Sequence, residues 1–128
     1  MTKEEKIDKL MYFELLRRDF WEFCLYYDKQ FFSNRLFLKK IADGFQKIEK
    51  REINSLSVSM PPRAGKSYIT SLFSAWVLGR NPSESVMRNT CTATLYLKFS
   101  YDVRNIVKTK QFKNVFRKVF LSDTKANL

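Results

Sequence analysis

The sequence predicts an α/β chain: an all-helical front, then a strand, a loop and a helix, then a second strand and further helices. Three observations carry this. Apolar residues recur at helical spacing over residues 3–27 and 35–50. The period switches to two at residues 55–60, where Leu56, Val58 and Met60 alternate with Ser55, Ser57 and Ser59. Past a Pro-Pro pair the helical period resumes. The chain is read as a helical N-terminal segment over 1–34 followed by an α/β unit over 35–128.

The front helix is marked by Ile7, Leu10, Met11 and Leu15, then Phe20, Phe23, Cys24 and Tyr27, with a break expected near Arg18–Asp19. Residues 28–34 read as a loop in spite of Phe31 and Phe32. A second helix over 35–50 places Leu38, Ile41, Ala42, Phe45 and Ile48 on one face. Pro61-Pro62 ends the strand, because neither residue can donate a ladder hydrogen bond. A helix opens near Lys66 and runs through Ile69, Leu72, Phe73, Trp76 and Val77, with Gly79 as its expected terminator. Residues 85–91 read as a second strand. Leu95, Phe99, Val103, Ile106 and Val107 mark another helix, and Phe112, Val115, Phe116 and Val119 a short last one.

The chain has 128 residues, 45% of them hydrophobic and 16% aromatic, which suits one domain with a real core. No apolar run approaches the roughly 20 residues that span a bilayer, and the charged start MTKEEKIDKL has no secretory character. The expected compartment is the cytoplasm, with no membrane partner. Cys24 and Cys91 read as two buried thiols. Histidine is absent, which excludes Ser-His-Asp and Cys-His catalysis and most zinc sites. The net charge is +11, and it is lopsided. Residues 1–50 carry 11 basic and 9 acidic side chains, and residues 51–128 carry 13 and 4, so +2 stands against +9. Such a half suits a polyanion, either nucleic acid or nucleotide phosphates.

The segment LSVSMPPRAGKSYITSLFSAW concentrates the chemistry. Free N–H groups and the dipole at a helix start favour an anion. Gly65 lets the backbone approach phosphates, Lys66 reaches the β- and γ-phosphates, and the Ser67 hydroxyl can ligate Mg²⁺. Arg63 adds a permanently charged fork for the γ-phosphate. The general pattern G-x-x-x-x-G-K-[ST] has a leading glycine, where this chain has Met60.

MPPRAGKS, the following SAWVLGRNPS and the later YDVRNIVKTKQFKNVF together resemble the N-terminal ATPase region of the large terminase subunit of tailed bacteriophages, the motor that moves viral DNA into a capsid. The loop with Pro-Pro-Arg and no leading glycine is a variant of that family. The resemblance covers residues 35–121. It implies a partial P-loop NTPase fold with an incomplete parallel sheet, and ATP and Mg²⁺ as cofactors. Arg63, Ala64, Gly65, Lys66 and Ser67 would form the variant Walker A loop, with Arg63 and Lys66 acting on the γ-phosphate and Ser67 on the metal. It implies as partners double-stranded viral DNA, the portal protein and the small terminase subunit. Adenine is expected near Phe31, Phe32 and Arg35, against the competing reading of core packing and a surface charge. Arg104 is a candidate for DNA contact or intersubunit signalling, against a solvated helix face.

Hydrolysis also needs an Asp closing an apolar strand and a Glu that orients water. After the loop the acids are Glu84, Asp102 and Asp123, and none follows such a strand. The sequence therefore reads as an N-terminal fragment of the packaging ATPase, without the nuclease carboxylates of that family, that binds nucleotide and hydrolyses weakly or not at all. Its apolar surplus points to self-association. Two other readings stay open: a basic DNA- or partner-binding module without enzymatic activity, and a piece of another, helicase-like P-loop ATPase.

Overall fold

A computed structural model describes residues 2–117. Among them all regular structure is helical: α1 Lys3–Arg18, α2 Phe20–Tyr27, α3 Lys29–Ser33, α4 Leu38–Glu49, α5 Lys66–Arg80, α6 Ala93–Lys108 and α7 Lys110–Val115. Short polar side chains set most of the boundaries. Thr2 and Glu5 form a reciprocal capping box on α1. The expected break in the front helix falls at Asp19, whose carboxylate accepts from the N–H groups of Trp21 and Glu22 and so starts α2. Asp28 caps α3 in the same way, and Thr92 and Thr109 cap α6 and α7.

The expected α/β architecture is corrected here. No strand or sheet forms among the described residues, so the incomplete parallel sheet and the strand–loop–helix unit are absent. Both segments read as strands are irregular and mostly exposed. A strand is stable only when a neighbour satisfies its N–H and C=O groups and a layer covers its apolar face. Residues 55–60 have no strand neighbour, and of their apolar face Met60 alone packs against the core. Leu56 stays 37% exposed and rests against Gly44 of α4. Residues 85–91 are held by a side chain instead: the Arg88 guanidinium donates to Ser71 Oγ (2.8 Å) and lies 3.8 Å over the Phe99 ring. That interaction binds the segment to α5 and α6 and leaves its backbone unpaired.

The core is a cluster of aromatic rings around α2, which touches α1, α3, α4, α5 and α7. Phe20, Trp21, Phe23 and Cys24 are all buried, so this short helix is apolar on nearly every side. Trp76 of α5 packs 5.4 Å from Phe20 and donates its indole N–H to the Leu16 carbonyl (3.0 Å). That carbonyl lies in the last turn of α1, where no intrahelical donor is available. Arg17 Nε donates to the Val115 carbonyl (2.7 Å), which ties the end of α1 to the end of α7. Gln46 accepts from Phe20 N–H and donates to the Arg18 carbonyl (2.6 Å), which closes α4 onto the α1–α2 corner. Residues from 1–34 and from 35–128 thus contribute to one core.

Gly79, expected as a terminator, lies inside α5, which runs to Arg80 and is capped by Asn81. Its lack of a side chain serves packing: a Cβ there would sit 2.7 Å from the Phe116 ring. Gly79→Ala gains about 1 kcal/mol of helix propensity but meets an overpacking cost of about 1–3 kcal/mol. The expected result is a lower urea midpoint with an unchanged m-value; a raised midpoint would show that Phe116 has room to move. The two cysteines also diverge. Cys24 is buried as expected, and burial, then the charge of Asp19, raises its thiol pKa well above the usual value. Cys91 is exposed, contrary to the reading of two buried thiols.

Candidate functional site

The segment 61–65 leads directly into α5, the longer of the two described helices whose start no side chain caps. Gly65 is the N-cap residue of α5, at φ +100°, and Arg63 also lies in the left-handed region at φ 64°. Left-handed residues near a helix start turn successive N–H groups to one side, the geometry of an anion-binding nest. The first helical bond runs from Ile69 N–H to the Gly65 carbonyl (3.0 Å), so the N–H groups of Lys66, Ser67 and Tyr68 precede the ladder. No side chain caps them. Arg63, Lys66 and Ser67 are exposed, and Ala64 and Gly65 are half-buried. All five expected binding residues therefore lie together on one exposed turn.

What supports this turn differs from the expectation. The space in front of the Gly65 Cα, where a Cβ would stand, is filled: Phe31 Cζ lies 2.8 Å from that point, and Leu38 Cδ1 3.4 Å. Gly65 is thus required for a left-handed φ and for close packing on Phe31. Any anion has to approach from the N–H side. Phe31 itself has the Arg35 guanidinium 4.1 Å over its ring and Tyr68 edge-on at a 4.8 Å centroid distance. Phe32 is fully buried beneath. Of the three residues considered for adenine, Phe32 is core, and Phe31 and Arg35 form a half-buried stack beside the loop.

Tyr68 anchors the first turn of α5. Its hydroxyl donates to Asp28 Oδ2 (2.9 Å) while Asp28 Oδ1 accepts from Phe31 N–H (3.3 Å), so one carboxylate joins the α2–α3 corner to the loop. Burial, and then the bond to Asp28, push the Tyr68 hydroxyl far above the usual tyrosine range, which keeps it a donor at all physiological pH. Tyr68→Phe leaves a half-buried carboxylate oxygen without this donor. The expected cost is about 1–3 kcal/mol in urea unfolding, as for a hydrogen bond to a charged group.

On its other side Ser67 opens on a cleft of about 380 Å³ shared with Lys98, Asp102 and Asn105 of α6. The sequence reading left these three out of the site. Their 98, 102, 105 spacing, one polar stripe on a helix, was the available signal. Arg104 is half-buried, in a separate surface groove with Arg88, Tyr96 and Phe99. Burial lowers the Arg88 pKa, and the charge of Asp102 partly offsets this.

A triphosphate fits the donors present: uncapped N–H groups, one ammonium and one guanidinium. For the metal the protein offers the Ser67 hydroxyl, with Asp102 lining the same cleft. Among the described residues no group of three or more His, Cys, Asp or Glu is placed to hold an ion. Among the described residues no helix is long and apolar enough to cross a membrane. Comparison with protein-family models, curated proteins and solved structures found no match to this chain.

Proposed function

We propose that this chain binds the phosphates of Mg·ATP through Arg63, Ala64, Gly65, Lys66 and Ser67, as a component related to the DNA-packaging motor of tailed bacteriophages. The observation that carries the reading is the left-handed Gly65 at the uncapped start of a 15-residue helix, followed at once by exposed Lys66 and Ser67. Lys66 neutralises the β- and γ-phosphates, Arg63 forks onto the γ-phosphate, and the Ser67 hydroxyl meets the nucleotide's metal. The reading rests on the loop and the helix start alone and needs no sheet. Bound Mg²⁺ supplies charge neutralisation of the phosphates. No residue of the chain is assigned as the base for the attacking water, so the proposed activity is nucleotide binding with weak or no hydrolysis. Duplex DNA, a portal protein and a small terminase subunit are the proposed partners, in the host cytoplasm.

The test is a titration of a fluorescent ATP analogue with Mg²⁺, comparing the chain with Lys66→Ala. Saturable binding that weakens at least tenfold in the variant is expected, because a charge-assisted contact to phosphate contributes about 1.5–3 kcal/mol. Lys66 is exposed, so the unfolding free energy should stay within about 0.5 kcal/mol of the parent. A folded chain that binds no nucleotide would sink the reading. Duplex DNA binding with a steep salt slope, indifferent to Lys66→Ala, would instead favour the basic binding module.

A further inference from the structure

Helix α1 carries apolar residues on two opposite sides. Phe13 and Leu16 face the core and are buried. Ile7, Met11 and Leu15 recur every four residues on the outward side and are 47%, 67% and 45% exposed. Three large side chains in line on one helix, all open to water, form a continuous stripe and not a scatter of single exposed residues. The stripe extends by one residue at each end: Glu4 lies three before Ile7, and Arg18 three after Leu15. Both ends are exposed.

The order Glu4, Ile7, Met11, Leu15, Arg18 is symmetric in spacing about Met11, with opposite charges at its two ends. That is the requirement for a two-fold contact, in which one patch must be complementary to itself. We propose that α1 pairs antiparallel with α1 of a second copy of this chain, with the two-fold axis through Met11. In that register Met11 meets Met11, and Ile7 of each copy meets Leu15 of the other. Glu4 of each copy meets Arg18 of the other. The ends of the stripe are 14 residues apart, about 21 Å of helix.

Side-chain pairing supports the charge match. Arg18 reaches Glu14 through Nε only (3.0 Å) and remains 74% exposed, so the rest of its guanidinium is open to a second carboxylate. Glu4 is in no ion pair among the described residues. A membrane is the poorer occupant. Helix α1 carries Lys3, Lys6, Lys9, Arg17 and Arg18 against Glu4, Glu5, Asp8 and Glu14, without the strong basic excess that draws a helix to anionic lipid. The contact is small, near the lower limit for specific association, so the dimer is weak and concentration-dependent.

The experiment is sedimentation velocity on the whole chain from about 5 to about 500 μM, a span suited to an interface of this size. The parent should pass from monomer to dimer within it. Met11→Glu places two carboxylates on the axis and should hold the chain monomeric, with an unchanged helical circular dichroism signal. Glu4→Arg or Arg18→Glu alone should each weaken the dimer about tenfold, since each creates two like-charge contacts per dimer. The double swap, Glu4→Arg with Arg18→Glu, should restore it. That restoration separates pairing from any loss of helix stability, because both swaps oppose the α1 dipole and would otherwise add. A parent that stays monomeric throughout overturns the proposal, whether or not it binds phosphatidylglycerol vesicles. So does a dimer that ignores Met11→Glu, or a double swap weaker than either single one.

Discussion

Trp76→Ala is expected to lower the unfolding free energy by about 3–5 kcal/mol, a large fraction of the whole stability of a domain of this size. Trp76 is fully buried and is the largest such side chain in the molecule. Its ring fills the junction of α1, α2 and α5, with Phe20 at 5.4 Å and Phe73 at 6.2 Å. The Arg80 guanidinium covers it from outside at 4.8 Å and is itself ion-paired with Glu49 of α4. Truncation therefore opens a cavity, leaves the Leu16 carbonyl without its indole donor, and uncovers the Arg80–Glu49 pair. Trp76→Phe separates these effects: it keeps most of the volume and loses the hydrogen bond. Its expected cost is smaller, about 1–3 kcal/mol for a buried carbonyl left unsatisfied. Urea unfolding followed by circular dichroism reads both. If the two variants cost the same, the indole hydrogen bond outweighs the cavity in this junction.

The helices around that junction were legible because their signals are local. Asp19 divides α1 from α2 where Arg18–Asp19 interrupts the apolar period, and Gly65-Lys66-Ser67 opens α5 at the expected residue. Residues 28–34 were harder. A stretch with Phe31 and Phe32 reads as a loop by its polar neighbours, yet Asp28 caps a short helix there and Phe32 enters the core. The strands failed for a physical reason. Alternation at 55–60 fixes which side chains share a face, but a ladder needs a partner that local sequence cannot supply. Gly79 shows the same limit, since only the position of Phe116 reveals why a glycine lies inside α5. At the site, the identity of the loop residues was legible, and what lies beneath them was not. That Phe31 occupies the space in front of Gly65 depends on α3 folding back against α5, a contact across more than thirty residues.

Gly65→Ala tests that buried contact and the loop together, and its expected effect is the largest at the site. Two costs add. An alanine held at φ +100° bears left-handed strain of about 1–2 kcal/mol. Its methyl carbon would stand 2.8 Å from Phe31 Cζ and 3.1 Å from Cε1, an overlap costing about 1–3 kcal/mol unless the ring shifts. The sum, about 2–5 kcal/mol, falls on the α3–α5 contact. If the loop relaxes toward negative φ to escape the strain, the N–H groups that follow turn away from their common side, and nucleotide binding should fall further than in Lys66→Ala. Adding Phe31→Leu removes the overlap but not the strain. The double variant should therefore recover about 1–3 kcal/mol relative to the sum of the single ones, a coupling expected of residues in contact. Nucleotide binding should not recover with it, because the left-handed turn, and not the ring, orients the donors. Recovery of both would mean that Phe31 packing alone shapes the loop. Loss of stability with nucleotide binding intact would place the phosphates elsewhere than on the α5 N-terminus.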